Sequence, residues 1–130
     1  MRVKAVLFDL GGTLIKTAEA PEIYRRILKR FGVNVTSDEI LKAHRANEKE
    51  FDIAKGQLEF GQDFWIKWNL RILERIGITE NIEYLAQKVD ELWWDHVDLE
   101  VYSDVFPMLA QLRTNGVKLG LVTNGLKRDF

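Results

Sequence analysis

Hydrophobic residues follow one pattern at the two ends of the chain and another in its middle. Apolar residues run together instead of alternating over residues 3–8 and again over residues 117–122. Such runs predict two fully buried strands of a parallel sheet. A helix capped by Ser103 or Asp104 and a turn at Gly116 precede the second strand. The ends of the chain therefore predict an α/β unit.

The middle of the chain has apolar residues at spacings of three and four, which predict four amphipathic helices. The first helix is expected to begin at Pro21 and to end at Gly32, and the second to begin at the capping box of Thr36 with Glu39. The third is expected to end at Gly77, and Thr79 is expected to cap the fourth. Trp65, Trp68 and Trp93 fall on the apolar stripes, so we expect them in a core. Four such helices with short connections most simply form an antiparallel bundle.

These two patterns divide the chain into a core and an insertion. We expect residues 1–15 and 101–130 to form an incomplete core of strand, helix and strand. Residues 16–100 would be the helical insertion.

Composition excludes several classes of function. The 19 basic and 20 acidic residues give a net charge of -1, so no electrostatic feature favours nucleic acid or an anionic membrane as partner. The chain has no cysteine, which excludes disulfides, thiolate catalysis and cysteine metal sites. No apolar stretch approaches the ~20 residues of a membrane span, and the apolar start is too short for a signal peptide. We therefore expect a cytoplasmic protein.

Polar residues follow both predicted strands at their carboxyl ends, where open parallel sheets bind ligands. Asp9 follows the first strand, and Thr123 with Asn124 follows the second. A carboxylate beside Gly11 and Gly12 and facing a hydroxyl suits anion and metal binding. The alternative is that Asp9 and Thr123 only terminate their strands.

Residues 9–14 (DLGGTL) resemble the first motif of the haloacid dehalogenase superfamily, which is Asp-x-Asp-Gly-Thr-Leu after a hydrophobic strand. Residues 119–125 (LGLVTNG) resemble its second motif, a strand that ends in Ser or Thr. The helical insertion falls where this superfamily has a four-helix cap. The resemblance implies an α/β fold: a partial Rossmann-like core with an inserted four-helix-bundle cap.

The resemblance also implies roles for particular residues. Asp9 would be the catalytic nucleophile of a phosphatase and would form an aspartyl-phosphate. Asp9 and the backbone carbonyl of Gly11 would bind Mg²⁺, the expected cofactor. Leu10, Gly11, Thr123 and Asn124 would bind the phosphoryl group of a small phosphorylated metabolite.

The chain departs from the superfamily pattern in two ways. Gly11 stands where the superfamily has a second aspartate, which supplies general acid–base catalysis of ~10²–10⁴-fold. Dehalogenases also lack that aspartate, so dehalogenation of a small 2-haloacid remains an alternative. The lysine and the acidic pair of the third and fourth motifs lie further along than residue 130. We therefore expect the N-terminal part of a longer enzyme, inactive by itself; a non-catalytic remnant or assembly module is the other alternative.

The two strands also raise the question of association. Two parallel strands alone are marginal, and exposed strand edges pair with other chains. We expect a homo-oligomer formed through the exposed sheet edges.

Overall fold

The computed structural model describes residues 2–61 and 63–123, and these form two compact units. One unit contains the described residues up to Thr17 together with those from Asp98 onwards. The other unit is the helical segment Ala18–Val97. Together they give a mixed α/β fold with a small parallel sheet.

The elements are numbered in chain order. The strands are β1 (Ala5–Phe8), β2 (Ile15–Lys16), β3 (Glu100–Val101) and β4 (Lys118–Leu121). The helices are α1 (Ala20–Arg30), α2 (Ser37–Glu50), α3 (Ile53–Phe60), α4 (Asp63–Arg75), α5 (Ile82–Leu92) and α6 (Val105–Thr114), with a 3₁₀ turn at Trp93–His96. None of the helices among the described residues combines the length and the apolar content needed to cross a membrane.

Strands β1 and β4 pair in parallel, as the sequence predicts. The register runs from Ala5 opposite Lys118 to Phe8 opposite Leu121. Strands β2 and β3 form a second, antiparallel pair that the sequence analysis does not predict. An ion pair between Lys16 Nζ and Glu100 Oε2, 3.1 Å apart, lies across this second pair.

The prediction that both long strands are fully buried is wrong. Leu7 in β1 is 68% exposed and Leu121 in β4 is 48% exposed. Strands of a parallel sheet become fully buried when layers pack on both of their faces. Helix α6 packs against β4, but these exposures show that the described residues do not cover both faces of the pair.

The helical unit has a core of its own. Its fully buried large side chains come from four helices: Ile23, Tyr24, Ile27, Leu28, Ile40, Phe64, Trp68, Ile72, Leu73 and Val89. Trp65 and Trp93 are half-buried and pack against this core, so the prediction for the tryptophans is confirmed. Full burial of one such side chain stabilises the folded state by ~1.5–3 kcal/mol, which explains why the apolar stripes determine how the helices of this unit pack.

The helical unit contains five α-helices among its described residues, where the sequence predicts four. The additional one is α3, capped by the Asp52 carboxylate, which accepts a hydrogen bond from the Lys55 N–H at 3.0 Å. The capping box is confirmed: Thr36 Oγ1 accepts from the Glu39 N–H, and Glu39 Oε2 accepts from the Thr36 N–H. Helix α5 begins two residues later than expected, after Asn81 instead of Thr79.

Two buried asparagines connect the helices of this unit by hydrogen bonds. The Tyr24 hydroxyl donates to Asn69 Oδ1, and Asn69 Nδ2 donates to the Ala86 carbonyl at 3.1 Å. Asn47 Nδ2 donates to the Trp68 carbonyl at 3.0 Å. Buried polar groups that are paired in this way fix the relative positions of helices that apolar contacts alone would define less sharply.

Candidate active site

The candidate site lies at the carboxyl ends of β1 and β4. The Val122 N–H donates to the Phe8 carbonyl at 2.8 Å, which extends the pairing of the strands one residue past Leu121. Asp9 and Thr123 therefore follow neighbouring strand ends, as the sequence predicts. The predicted phosphate ligand Asn124 lies outside the described residues.

A tight turn after Asp9 shapes the loop between β1 and β2. The Leu10 carbonyl accepts hydrogen bonds from the N–H groups of Thr13, Leu14 and Ile15, at 3.2, 2.9 and 3.2 Å. The Gly12 N–H donates to the Ile15 carbonyl at 2.8 Å, and Gly12 has a φ of 75°. This left-handed backbone conformation favours glycine, so the turn explains the second glycine of the motif.

The carboxylate of Asp9 has one side-chain partner across this turn among the described residues. Thr13 Oγ1 donates to Asp9 Oδ2 at 3.4 Å, and both residues are exposed. The sequence analysis includes Thr13 only as part of the motif. Its position four residues after Asp9, across a glycine turn, is the signal that identifies it as a partner of the carboxylate.

The backbone beside Asp9 offers donors for an anion. The N–H groups of Leu10 and Gly11 donate to no other group among residues 2–61 and 63–123. Adjacent unpaired N–H groups in a turn form anion-binding sites in many proteins. Gly11 is exposed, whereas the Leu10 side chain is half-buried.

Metal ligands at this site are few. Within the described part of the chain, no three His, Cys, Asp or Glu side chains come together as a metal cluster. The Asp9 carboxylate and the Gly11 carbonyl are both oxygen ligands on one short turn. Oxygen atoms are the ligand type that Mg²⁺ prefers, but two of them are fewer than a complete site needs.

The charges around the loop are sparse and already paired. Asp9 is the only titratable side chain between Lys4 and Lys16. The Lys16 ammonium pairs with Glu100 and also lies 6.0 Å from the ring centroid of Tyr102. The loop therefore presents a single carboxylate with one hydroxyl partner and two unpaired N–H groups beside it, an arrangement suited to nucleophilic attack on an electrophile held by the N–H groups.

The chain is similar to known proteins in sequence and in fold. The family model of haloacid dehalogenase-like hydrolases matches residues 3–129. A glyceraldehyde 3-phosphate phosphatase from Methanopyrus kandleri is 32% identical over 126 residues, which cover 95% of this chain and 52% of the relative. The crystal structure of a 2-haloacid dehalogenase from Pseudomonas syringae pv. Tomato DC3000 has the same fold at a TM-score of 0.57 and 21% identity, with 95% of this chain and 56% of that chain covered.

The chain thus spans about half the length of the proteins it matches. The family match extends over nearly all of its residues and includes both strand ends at which the candidate site lies. The chain therefore belongs to the haloacid dehalogenase-like hydrolase family.

Proposed function

We propose that this chain carries the nucleophile of a Mg²⁺-dependent phosphatase that acts on a small phosphorylated metabolite. One observation carries the proposal: Asp9 is exposed at the end of β1, beside the paired end of β4. Membership of a hydrolase family supports hydrolysis as the type of reaction. The phosphatase name of the Methanopyrus relative supports phosphate as the group transferred.

In this proposal an Asp9 carboxylate oxygen attacks phosphorus and forms an aspartyl-phosphate, which water then hydrolyses. The Thr13 hydroxyl orients the carboxylate through its hydrogen bond. The N–H groups of Leu10 and Gly11, with Thr123 and Asn124, hold the phosphoryl oxygens. Asp9 and the Gly11 carbonyl would bind Mg²⁺, whose charge offsets the repulsion between the carboxylate and the phosphate.

We further propose that the helical unit Ala18–Val97 serves as the cap of the enzyme. Its place in the sequence, between the two strands that lead to the site, supports this role. Because the unit has its own core, it can fold as a body whose surface residues select the substrate.

The 130 residues alone should have little phosphatase activity. One carboxylate and one carbonyl are a sparse ligand set for Mg²⁺, and the described loops supply no cation to offset the charge of Asp9 and phosphate. The chain covers 52% of the phosphatase relative, so the remaining groups of a complete site would come from residues other than these.

The test is hydrolysis of p-nitrophenyl phosphate with and without Mg²⁺, by this chain and by the full gene product that carries it. We expect turnover by the full gene product, loss of that turnover in Asp9→Asn, and little activity of the 130 residues. Asp104→Asn, which changes an exposed aspartate before α6, is the matched control and should remain active. Turnover that survives Asp9→Asn contradicts the proposal; no turnover by a folded protein supports a non-catalytic remnant.

Dehalogenation of a small 2-haloacid is a second candidate because of Gly11. A halide leaves carbon without a proton, so this reaction needs no acid at that position. Chloride release from 2-chloropropionate that depends on Asp9, without release of phosphate from p-nitrophenyl phosphate, would favour this candidate over the phosphatase.

A further inference from the structure

A groove opens on the surface of the helical unit, between α2 and the C-terminal end of α4. It has a volume of about 580 Å³, and the residues that line it are Glu39, Lys42, Ala43, Ala46, Arg75, Ile76 and Gly77. All of them belong to the segment Ala18–Val97, whereas Asp9 and Thr123 belong to the other unit. The groove therefore shares no residue with the candidate active site.

One side of the groove holds a guanidinium group in a fixed position. Arg75 Nε donates to Asn47 Oδ1 at 2.9 Å, and Arg75 Nη2 donates to Glu50 Oε2. Asn47 is fully buried, and its own Nδ2 donates to the Trp68 carbonyl at 3.0 Å. Within the described part of the chain, Arg75 Nη1 donates to no group. Two N–H bonds of a planar, fixed guanidinium therefore remain available to a ligand.

A second cationic group lies on the α2 side of the groove. Lys42 is exposed, and among the residues that the structure describes it forms no hydrogen bond or ion pair. Ala46 follows four residues later on the same face of α2, about 6 Å further along the helix axis. The next residue, Asn47, is the one that holds Arg75. The ammonium and guanidinium groups therefore lie around Ala46, whose short side chain leaves room for a ligand between them.

The two carboxylates nearest these cationic groups have partners of their own. Glu39 Oε2 accepts hydrogen bonds from the Thr36 N–H at 2.8 Å and from Thr36 Oγ1 at 2.9 Å. These bonds hold the Glu39 carboxylate at the start of α2. Glu50 Oε2 accepts from Arg71 Nε at 3.2 Å as well as from Arg75, so one carboxylate is shared by two guanidinium groups. The ammonium group and Arg75 Nη1 are thus left to a further anion.

We propose that this groove binds a phosphate group, free or carried by a small molecule, whose oxygens accept hydrogen bonds from the Lys42 ammonium and from Arg75 Nη1. A planar guanidinium and a compact ammonium are both donors that proteins use for phosphate. A phosphate group carries about −1.5 to −2 charges at neutral pH, so it matches two cations better than a carboxylate does. The apolar side chains of Ala43 and Ile76, which also line the groove, suit a carbon skeleton attached to the phosphate.

The experiment titrates the chain with inorganic phosphate, glycerol 3-phosphate and acetate at constant ionic strength and follows backbone amide signals by NMR. Both phosphates should give saturable shifts at residues 42–47 and at Gly77, with dissociation constants in the millimolar range. Acetate should bind several-fold more weakly. Tighter binding of glycerol 3-phosphate than of inorganic phosphate identifies a phosphorylated small molecule as the ligand, and equal binding identifies free phosphate. Shifts of the amides beside Asp9 report on the candidate active site separately.

Two lysines of α2 provide a matched pair of variants. Lys42→Gln should weaken phosphate binding about tenfold, because it removes a hydrogen bond between charged groups. Lys49→Gln changes an exposed lysine that does not line the groove and should bind phosphate as the wild type does.

Three results would overturn the proposal: no saturable shift at residues 42–47 with either phosphate, acetate binding as tight as phosphate binding, or equal weakening by Lys42→Gln and Lys49→Gln. The last would show only general attraction between charges. None of these results bears on Asp9, so the proposed phosphatase function is tested independently.

Discussion

At the scale of single residues, the loop after β1 depends on two adjacent glycines in different ways. Gly12 has a left-handed backbone and closes the turn through its hydrogen bond to Ile15. Gly11 does not have a positive φ, and a Cβ atom built there meets no atom of residues 2–61 and 63–123 within 4 Å. The backbone of the turn therefore favours glycine at position 12 and not at position 11.

Replacement of Gly12 by Ala should destabilise the loop by about 1 kcal/mol, because a Cβ atom disfavours its left-handed backbone. Hydrogen exchange at the amides of Leu14 and Ile15, which donate to Leu10, should become roughly fivefold faster. Gly11→Ala is the matched control and should leave that exchange unchanged or slower. Equal effects of the two substitutions would contradict the difference drawn between them.

A second prediction concerns the buried hydroxyl of Tyr24. Burial raises the pKa of this phenol far above its ordinary value, so it stays protonated as a donor to Asn69. Tyr24→Phe leaves Asn69 Oδ1 buried without that donor and should cost about 1–3 kcal/mol in urea denaturation. Combining it with Asn69→Leu should cost less than the sum of the single changes; simple additivity would show that the pair is not coupled.

A third prediction concerns the stability of the protein at low pH. Hydrogen bonds from Arg25, and then from Arg26, lower the pKa of Glu22 from 4.5 to about 2. A lowered folded-state pKa stabilises the protein above the unfolded pKa, and this contribution is lost as pH falls from about 4.5 towards 2. Glu22→Gln should therefore reduce stability at neutral pH and flatten its decline over this range. Identical slopes for wild type and variant, measured by urea denaturation at several pH values, would contradict this.

At the scale of elements, regular amphipathic helices are predictable and α3 is not. The stripes of the other helices place apolar residues three and four apart, whereas the large apolar residues of α3 are Ile53, Leu58 and Phe60. Spacings of five and two do not form a stripe, and Leu58 is 90% exposed. This helix is defined by the Asp52 cap and by its contact with α4, which only the folded chain shows.

The contact between α3 and α4 can be tested at Gly56, which is buried. A Cβ atom there would clash with Cε2 of the fully buried Phe64 ring. Although Ala favours helix by up to ~1 kcal/mol over Gly, Gly56→Ala should destabilise the helical unit by ~1–3 kcal/mol through overpacking. Tryptophan fluorescence during urea denaturation measures this unit, since all four tryptophans lie within it. Leu58→Ala, at the exposed site, should change stability by less than ~0.5 kcal/mol; the reverse order would contradict the contact.

At the scale of the whole molecule, the β1–β4 pair carries exposed apolar side chains that two strands do not cover. Besides Leu7 and Leu121, Val122 is 60% exposed and Phe106 on α6 is 68% exposed. The Lys4 and Phe8 carbonyls face β4, so the intervening Ala5 and Leu7 backbone groups face the other edge of β1. Among the described residues that edge has no strand partner.

We predict that two copies of the chain associate through this edge. An antiparallel pairing of β1 with its copy brings the basic end, with Arg2 and Lys4, towards Asp9 of the other copy. Light scattering after size exclusion at tens of micromolar should show a dimer. Leu7→Lys should make it monomeric, because a charge on an exposed strand opposes pairing, and Leu58→Lys should not. A wild-type monomer, or equal effects of both changes, would contradict the prediction.

The sequence by itself predicted four of the helices, the parallel pairing of β1 with β4 and the position of the candidate site at their carboxyl ends. Apolar spacing determines which side chains such as Trp68 and Ile72 become core, since their burial dominates the energy of the fold. The run of residues 9–14 marks the site because Leu10, Gly12, Thr13 and Leu14 form the hydrogen bonds of the turn that follows Asp9. Tertiary structure alone decided the exposure of Leu7. An apolar run shows that a strand can be buried, but only the layers that pack on it decide whether it is.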